Sequence, residues 1–340
     1  MTCSGCRAIQ PIEDQGTVRF LPTTPVLIHH LEDEGYFVAI ENGTACILYQ
    51  DREQLLYMLR SLRKLPEELK NGLTLSIDGS KSDIPENWFP LSLMEQRVEN
   101  YDIVSIIIDR QFTSHMQPIV DRSQAVVGYE FLLRPSQGGA PFQPYKLFDV
   151  ARTTGLHSFL DRAARISAIE TGAQFLPRGF KRFINFLPSS IYNPEYCLTH
   201  TFEAIERLEQ DPNDFVFEVV ETEKIESMAR LQRIFDVYRQ NGISVALDDV
   251  GSGYSTVEVL RHLEPDYVKI DRGLVDGCDT DTEKQRQISE IIESASRFGG
   301  QVLAEGIERP EEFRFCREAG ITLAQGYLFG KPTAHPLSVR

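Results

Sequence analysis

The feature that most limits how this chain can fold is a rhythm that runs from about residue 115 to its end. Short apolar runs alternate with longer stretches of helical periodicity. The runs are "FINF" (183–186), "FVFEVV" (215–220), "SVALDDV" (244–250), "YVKID" (267–271), "QVLAEGIE" (301–308) and "LAQGYLFG" (323–330). This alternation is how β/α units around a parallel sheet read in sequence. The helical stretches are 144–154, 158–174, 199–209, 226–241, 282–298 and 310–319. The last opens on Pro310-Glu311-Glu312, and proline and acidic side chains suit a helix N-terminus. Before them, "QPIVDRSQAVVGYEFLLRP" (117–135) reads as two strands around a polar turn. The expected fold is α/β, a TIM-like (β/α)8 barrel with irregular first strands.

Residues 1–108 have a different texture and predict a small mixed α/β domain ahead of a barrel domain at 109–340. "YFVAIENGTACILYQ" (36–50) predicts a hairpin about Asn42-Gly43, a strong turn former. An amphipathic helix follows at 51–65, a strand at 73–78 and a helix at 91–100. Cys3 and Cys6 have C-x-x-C spacing; with no second such pair, two free thiols are the first reading, a metal site the second and a redox disulfide between them the third. A barrel that holds a complete site needs no residues from this domain, so its expected role is regulatory.

Charge narrows the partners. The net charge of −15 repels a phosphate backbone and argues against general nucleic-acid binding, though not against a small phosphorylated ligand neutralised by local cations. Ile106-Ile107-Ile108 is far too short to span a bilayer, and no charged leader with an apolar segment opens the sequence. The expected location is the cytoplasm, with the six cysteines mostly reduced.

The residues that end the apolar runs carry the chemistry. Glu130 ends "VVGYE" and Asn185 interrupts "FINF". Glu218 lies within "FVFEVV", and Glu221 follows it. Asp248 and Asp249 stand side by side; Lys269 and Asp271 share "KID"; Glu305 and Glu308 share "AEGIE"; Gln325 precedes Gly326. Barrel active sites are built from the C-terminal strand ends, so these groups should converge, with Lys269 pointing inward to anionic partners. Any one of these carboxylates alone would read as a helix cap or a surface charge. As a set they form an oxygen-rich donor group suited to Mg²⁺ or Mn²⁺. The adjacent aspartates fit two ions a few ångströms apart, an arrangement that cleaves phosphodiesters.

These residues resemble the EAL-domain phosphodiesterases that hydrolyse cyclic di-GMP. The match spans about 117–332, through "QPIV", "GYEFLLR", "FIN", "EVVE", "LDDVGSGYS", "DYVKID", "AEGIE" and "QGYLFGKP" in order. The resemblance implies that Glu130, Asn185, Glu218 and Asp248 hold one metal and Asp249, shared with Asp248, a second. It implies Glu305 as general base or as an aid to the second metal, Lys269 as the group that orients water or neutralises charge, and Glu221 as a brace for the "DDVGSGYS" loop. Arg134 would contact phosphate, Gln117 a guanine, and Gln325, Glu308 and Asp271 would line or support the pocket. The implied product is linear 5′-pGpG, and a homodimer is a possible assembly. Phe131 stands where the family name has alanine, and strand alternation puts it on the opposite face from Glu130. A second reading keeps the nucleotide as a ligand that is bound and signalled rather than hydrolysed. An enolase-type barrel also uses strand-end acids and a lysine, but the adjacent aspartates do not suit it.

Overall fold

The computed structural model describes residues 11–78, 87–219, 227–251 and 257–336. Cys3, Cys6, Glu221 and Gly253 lie outside these residues. The chain divides into two compact units: Met1–Gln111 with Gln137–Leu160, and Phe112–Ser136 with Asp161–Arg340.

In the first unit, five strands form an antiparallel sheet: β1 (Gly16–Leu21), β2 (Ala39–Glu41), β3 (Thr44–Tyr49), β4 (Thr74–Asp78) and β5 (Phe89–Pro90), in spatial order β2-β3-β1-β4-β5. The β2–β3 hairpin turns at Asn42-Gly43, both with positive φ, as this dipeptide favours. Alternating residues Val18 and Phe20 of β1 face the core with Leu27, Leu31, Leu55 and Leu59, all fully buried. The last four come from the helices Pro25–Asp33 and Arg52–Ser61, whose first turns are capped by Thr24 and Asp51.

The second unit is a closed eight-stranded barrel. Its strands are β6 (Phe112–Asp121), β7 (Val126–Pro135), β8 (Lys181–Phe186), β9 (Phe215–Val219), β10 (Ser244–Val250), β11 (Tyr267–Ile270), β12 (Gln301–Ala304) and β13 (Leu323–Gln325). The irregular start is one strand: β6 runs antiparallel to both neighbours, β7 and β13, while the other neighbouring pairs are parallel. The polar turn from β6 to β7 is fixed by Asp121, whose Oδ1 accepts the N–H groups of Ser123 and Ala125. A ring of apolar side chains fills the interior: Ile119, Phe183, Val216, Ala246, Tyr267, Leu303 and Leu323. No helix among the described residues is long and apolar enough to cross a membrane.

Phe131 lies on the outer barrel face, buried against the helix His157–Phe175. A Cβ added at Gly172 on that helix would stand 3.1 Å from Phe131 Cζ and 3.1 Å from Arg182 Nε, so the ring takes the space a larger residue at 172 would need. Phe131→Ala should therefore cost about 3–5 kcal/mol in urea unfolding. Adding Gly172→Ala to that variant should return about 1 kcal/mol, from helix propensity and the filled gap. Strictly additive effects of the two changes would mean that they do not share this space.

Candidate active site

Two residues beyond the apolar ring, on the same face of each strand, lies a ring of polar side chains. Phe183 leads to Asn185, Val216 to Glu218, Ala246 to Asp248, Tyr267 to Lys269, Leu303 to Glu305 and Leu323 to Gln325. On antiparallel β6 the step runs backwards, from Ile119 to Gln117, which is paired in register with Glu130. Side chains alternate with a period of two along a strand, so the barrel stacks one apolar layer beneath one polar layer.

The adjacent aspartates break that period. Leu247 pairs with Val268 and Val250 with Ile270, so Asp248 and Asp249 together stand opposite Lys269. This is a β-bulge, with Asp249 at φ +51°. A regular strand would send the two carboxylates to opposite faces. Here oxygens of Asp248, Asp249 and Glu305 lie within 4.8 Å of one another.

Lys269 is 1% exposed and sits amid carboxylates. Its Nζ stands 2.7 Å from Glu305 Oε1, 2.9 Å from Asp248 Oδ1 and 3.7 Å from Glu130 Oε1. Glu218 Oε2 is 2.8 Å away, at ion-pair distance but without hydrogen-bond alignment. Desolvation opposes the charge of Lys269, yet Asp248, Glu130, Glu218 and Glu305 together hold the ammonium well above its ordinary range. The same burial, reinforced by neighbouring carboxylates, pushes Glu218 and Glu305 well up and Asp248 up. Glu130 goes the other way. Burial opposes its charge, but Lys269 and the amide donors of Gln325 (2.7 Å) and Asn185 (3.1 Å) hold it below the usual glutamate value.

The other expected site residues are placed differently. Arg134 lies on the same face of β7 as Glu130, two pleats further on, about 13 Å along the strand, and donates to the carbonyl of Leu133. The Gln117 amide donates to the Gly330 carbonyl at 3.3 Å. Asp271 caps the short helix Arg272–Val275 by accepting from Gly273 N. Glu308 is half exposed and paired with Arg272 at 2.8 Å. Gly326 sets the close approach that holds Gln325 in place, since a Cβ there would lie 2.0 Å from the Ile307 carbonyl oxygen. In sequence Glu312 reads only as a charge in a helix's first turn; in the fold its carboxylate is buried and bonded across two loops.

The donor set fits divalent ions. Four carboxylates (Glu130, Glu218, Asp248 and Glu305) surround one ammonium and Asp249 adds a fifth beside Asp248 and Glu305, an excess of four formal negative charges that two divalent cations match. Glu218 Oε1 and Gln325 Oε1 are buried without a hydrogen-bond partner among the described residues, as unused donors to a cation would be. The donors are oxygens, with no thiolate, which suits Mg²⁺ or Mn²⁺.

A family model described as "EAL domain" matches residues 101–332. This chain belongs to the EAL-domain family. The chain is 31% identical to the probable cyclic di-GMP phosphodiesterase PdeG of Escherichia coli K12, over 72% of this chain and 48% of that protein. The chain spans a little under half the length of the first curated relatives it matches. A standalone versatile EAL protein from Vibrio cholerae O395, solved in its c-di-GMP-bound form, is 33% identical with a TM-score of 0.61, covering 67% of this chain and 95% of that one. Klebsiella pneumoniae BlrP1, solved as a manganese and cyclic di-GMP complex, is 20% identical with a TM-score of 0.59. It covers 94% of this chain and 96% of its own, a likeness of fold that takes in more than the EAL domain.

Proposed function

We propose that this chain hydrolyses cyclic di-GMP to linear 5′-pGpG, using two divalent ions, Mg²⁺ or Mn²⁺. The observation that carries it is the polar ring: four carboxylates around one buried lysine, with Asp249 beside Asp248 and Glu305, at the C-terminal strand ends of a barrel whose EAL relatives are described as phosphodiesterases or as bound to the dinucleotide. Glu130, Asn185, Glu218 and Asp248 would hold one ion, and Asp249 with Asp248 the other. When bound, such ions lower the pKa of water and steady the attacking and leaving oxygens.

The residues do the rest. Glu305 stands beside Lys269 and takes the proton of the attacking water. Lys269 orients that water and offsets charge at the phosphate. Arg134, further toward the barrel mouth on the face of Glu130, binds the phosphate, and Gln117 faces a guanine. Gln325 steadies Glu130, while Asp271 and Glu308 support the pocket through their loops. Glu221 keeps its assigned role as a brace. The domain of residues 1–108 modulates this activity in response to a signal.

Incubating the full chain with cyclic di-GMP in Mn²⁺, and separately in EDTA, then chromatographing the products, is the direct test. The expected result is pGpG with the metal and none without it. Nucleotide bound but never cleaved, in either ion, would instead favour the receptor reading.

A further inference from the structure

The loops after β11 and β12 follow Lys269 and begin with Glu305, and a buried carboxylate from outside both joins them. Glu312, in the first turn of the helix Pro310–Ala319, is 1% exposed. Its Oε2 accepts the backbone N–H groups of Glu308 at 3.1 Å and Arg309 at 3.0 Å. Its Oε1 accepts Arg309 Nε at 2.9 Å and, 35 residues back along the chain, the backbone N–H of Gly277 at 3.0 Å.

A capping residue at the third helical position needs only one accepting oxygen, which is why Glu and Gln both serve there. The second oxygen of Glu312 also reaches beyond its own helix and grips the turn after the helix Arg272–Val275. Other contacts close the same seam. Arg272 pairs with Glu308 at 2.8 Å, Arg309 pairs with Asp279, and the buried sulfurs of Cys278 and Cys316 stand 3.8 Å apart. At the root of the seam the Glu305 N–H donates to the Ile270 carbonyl at 3.1 Å. Between Glu305 and the clasp lie Gly306, at φ +68°, and buried Ile307, whose N–H donates to the Gln325 carbonyl at 3.0 Å, so the clasp adds a second anchor at the far end of the loop.

We propose that Glu312 is a positioning residue. Its carboxylate clasps the Glu305–Arg309 loop to the Gly277 turn and so sets where Glu305 stands relative to Lys269 and the Asp248–Asp249 pair. The kinetic side of this inference rests on the hydrolytic function proposed above; the metal-binding side does not.

Glu312→Gln is the telling variant. It preserves size and one accepting oxygen, enough for the helix cap, but turns an amide N–H toward N–H donors on the other limb. Groups that orient a metal site from behind typically change affinity or activity 10–100-fold. The expected results are a kcat about 10–100-fold lower with KM within about threefold, and Mn²⁺ affinity, titrated calorimetrically without nucleotide, about 10-fold weaker. Wild-type kcat and Mn²⁺ affinity in Glu312→Gln would make Glu312 a helix cap and nothing more, overturning the proposal. Absence of Mn²⁺ binding to the wild-type chain would overturn it too. If the wild-type chain binds Mn²⁺ but forms no pGpG, hydrolysis is lost as the function, while the loss of Mn²⁺ affinity in the variant still decides the clasp.

Discussion

Glu305→Gln should slow pGpG formation by about 10²–10⁴-fold, the range attributable to a positioned general base, while cyclic di-GMP still binds. Glutamine matches glutamate in size and can still meet Lys269 Nζ, which now stands 2.7 Å from Glu305 Oε1. What it cannot do is accept a proton and release it again. Burial, together with Asp248 and Glu130, raises the Glu305 carboxyl in the ion-free site, and cations bound beside it would favour the ionised form that a base needs. Removing one carboxylate leaves Lys269 with Glu218, Asp248 and Glu130 as partners, so the fold should hold. Initial rates by chromatography, with nucleotide affinity by equilibrium binding, separate the two effects. Turnover at the wild-type rate would take Glu305 out of the reaction.

Much of this site was legible because barrel strands obey one short rule. An inward residue i is followed by an inward residue i+2, so Asn185, Glu218, Asp248, Lys269, Glu305 and Gln325 could be placed on one rim before any fold was known. The helix Pro310–Ala319 and the strand Thr74–Asp78 likewise follow from local patterns in the sequence. The rule fails where backbone geometry departs from it. Alternation separates Asp248 from Asp249, and the bulge that reunites them depends on the pairing with β11, which lies outside any local window. β1 and the helix Pro25–Asp33 were not anticipated. The Thr24-Pro25 pair is a fair start signal, but β1 has only the short run "TVRFL" to announce it.

The clasp of Glu312 was hidden for the same reason: Gly277 is a neighbour in space, not in sequence. The association of Gln137–Leu160 with the first unit is also a long-range matter that periodicity cannot express. Phe131 is the opposite case. Its outward direction was readable from Glu130, while the small residue that receives it, Gly172, needed the packed helix to be seen.

Lys269→Met should strongly destabilise the barrel, and its effect should depend on metal. The ammonium is the cation held against four carboxylates at 2.7–3.7 Å. Breaking a buried pair by removing one partner costs about 3–5 kcal/mol, because the other charge is left uncompensated. In EDTA the variant should therefore melt well below the wild type, and Mn²⁺ should stabilise both proteins by binding the folded state. The pH dependence follows from Glu218 and Glu305, whose folded values lie well above the ordinary glutamate pKa of about 4.3. Between that value and the raised one the folded state holds more protons than the unfolded state, so their contribution to stability falls as pH rises through the window. Cations relieve the repulsion that appears as those protons leave. The rise in melting temperature on adding Mn²⁺ should accordingly grow from pH 5 upward, in wild type and variant alike. Differential scanning fluorimetry across that range reads both effects. Equal melting of Lys269→Met and wild type in EDTA would mean that the lysine does not hold the acidic ring together.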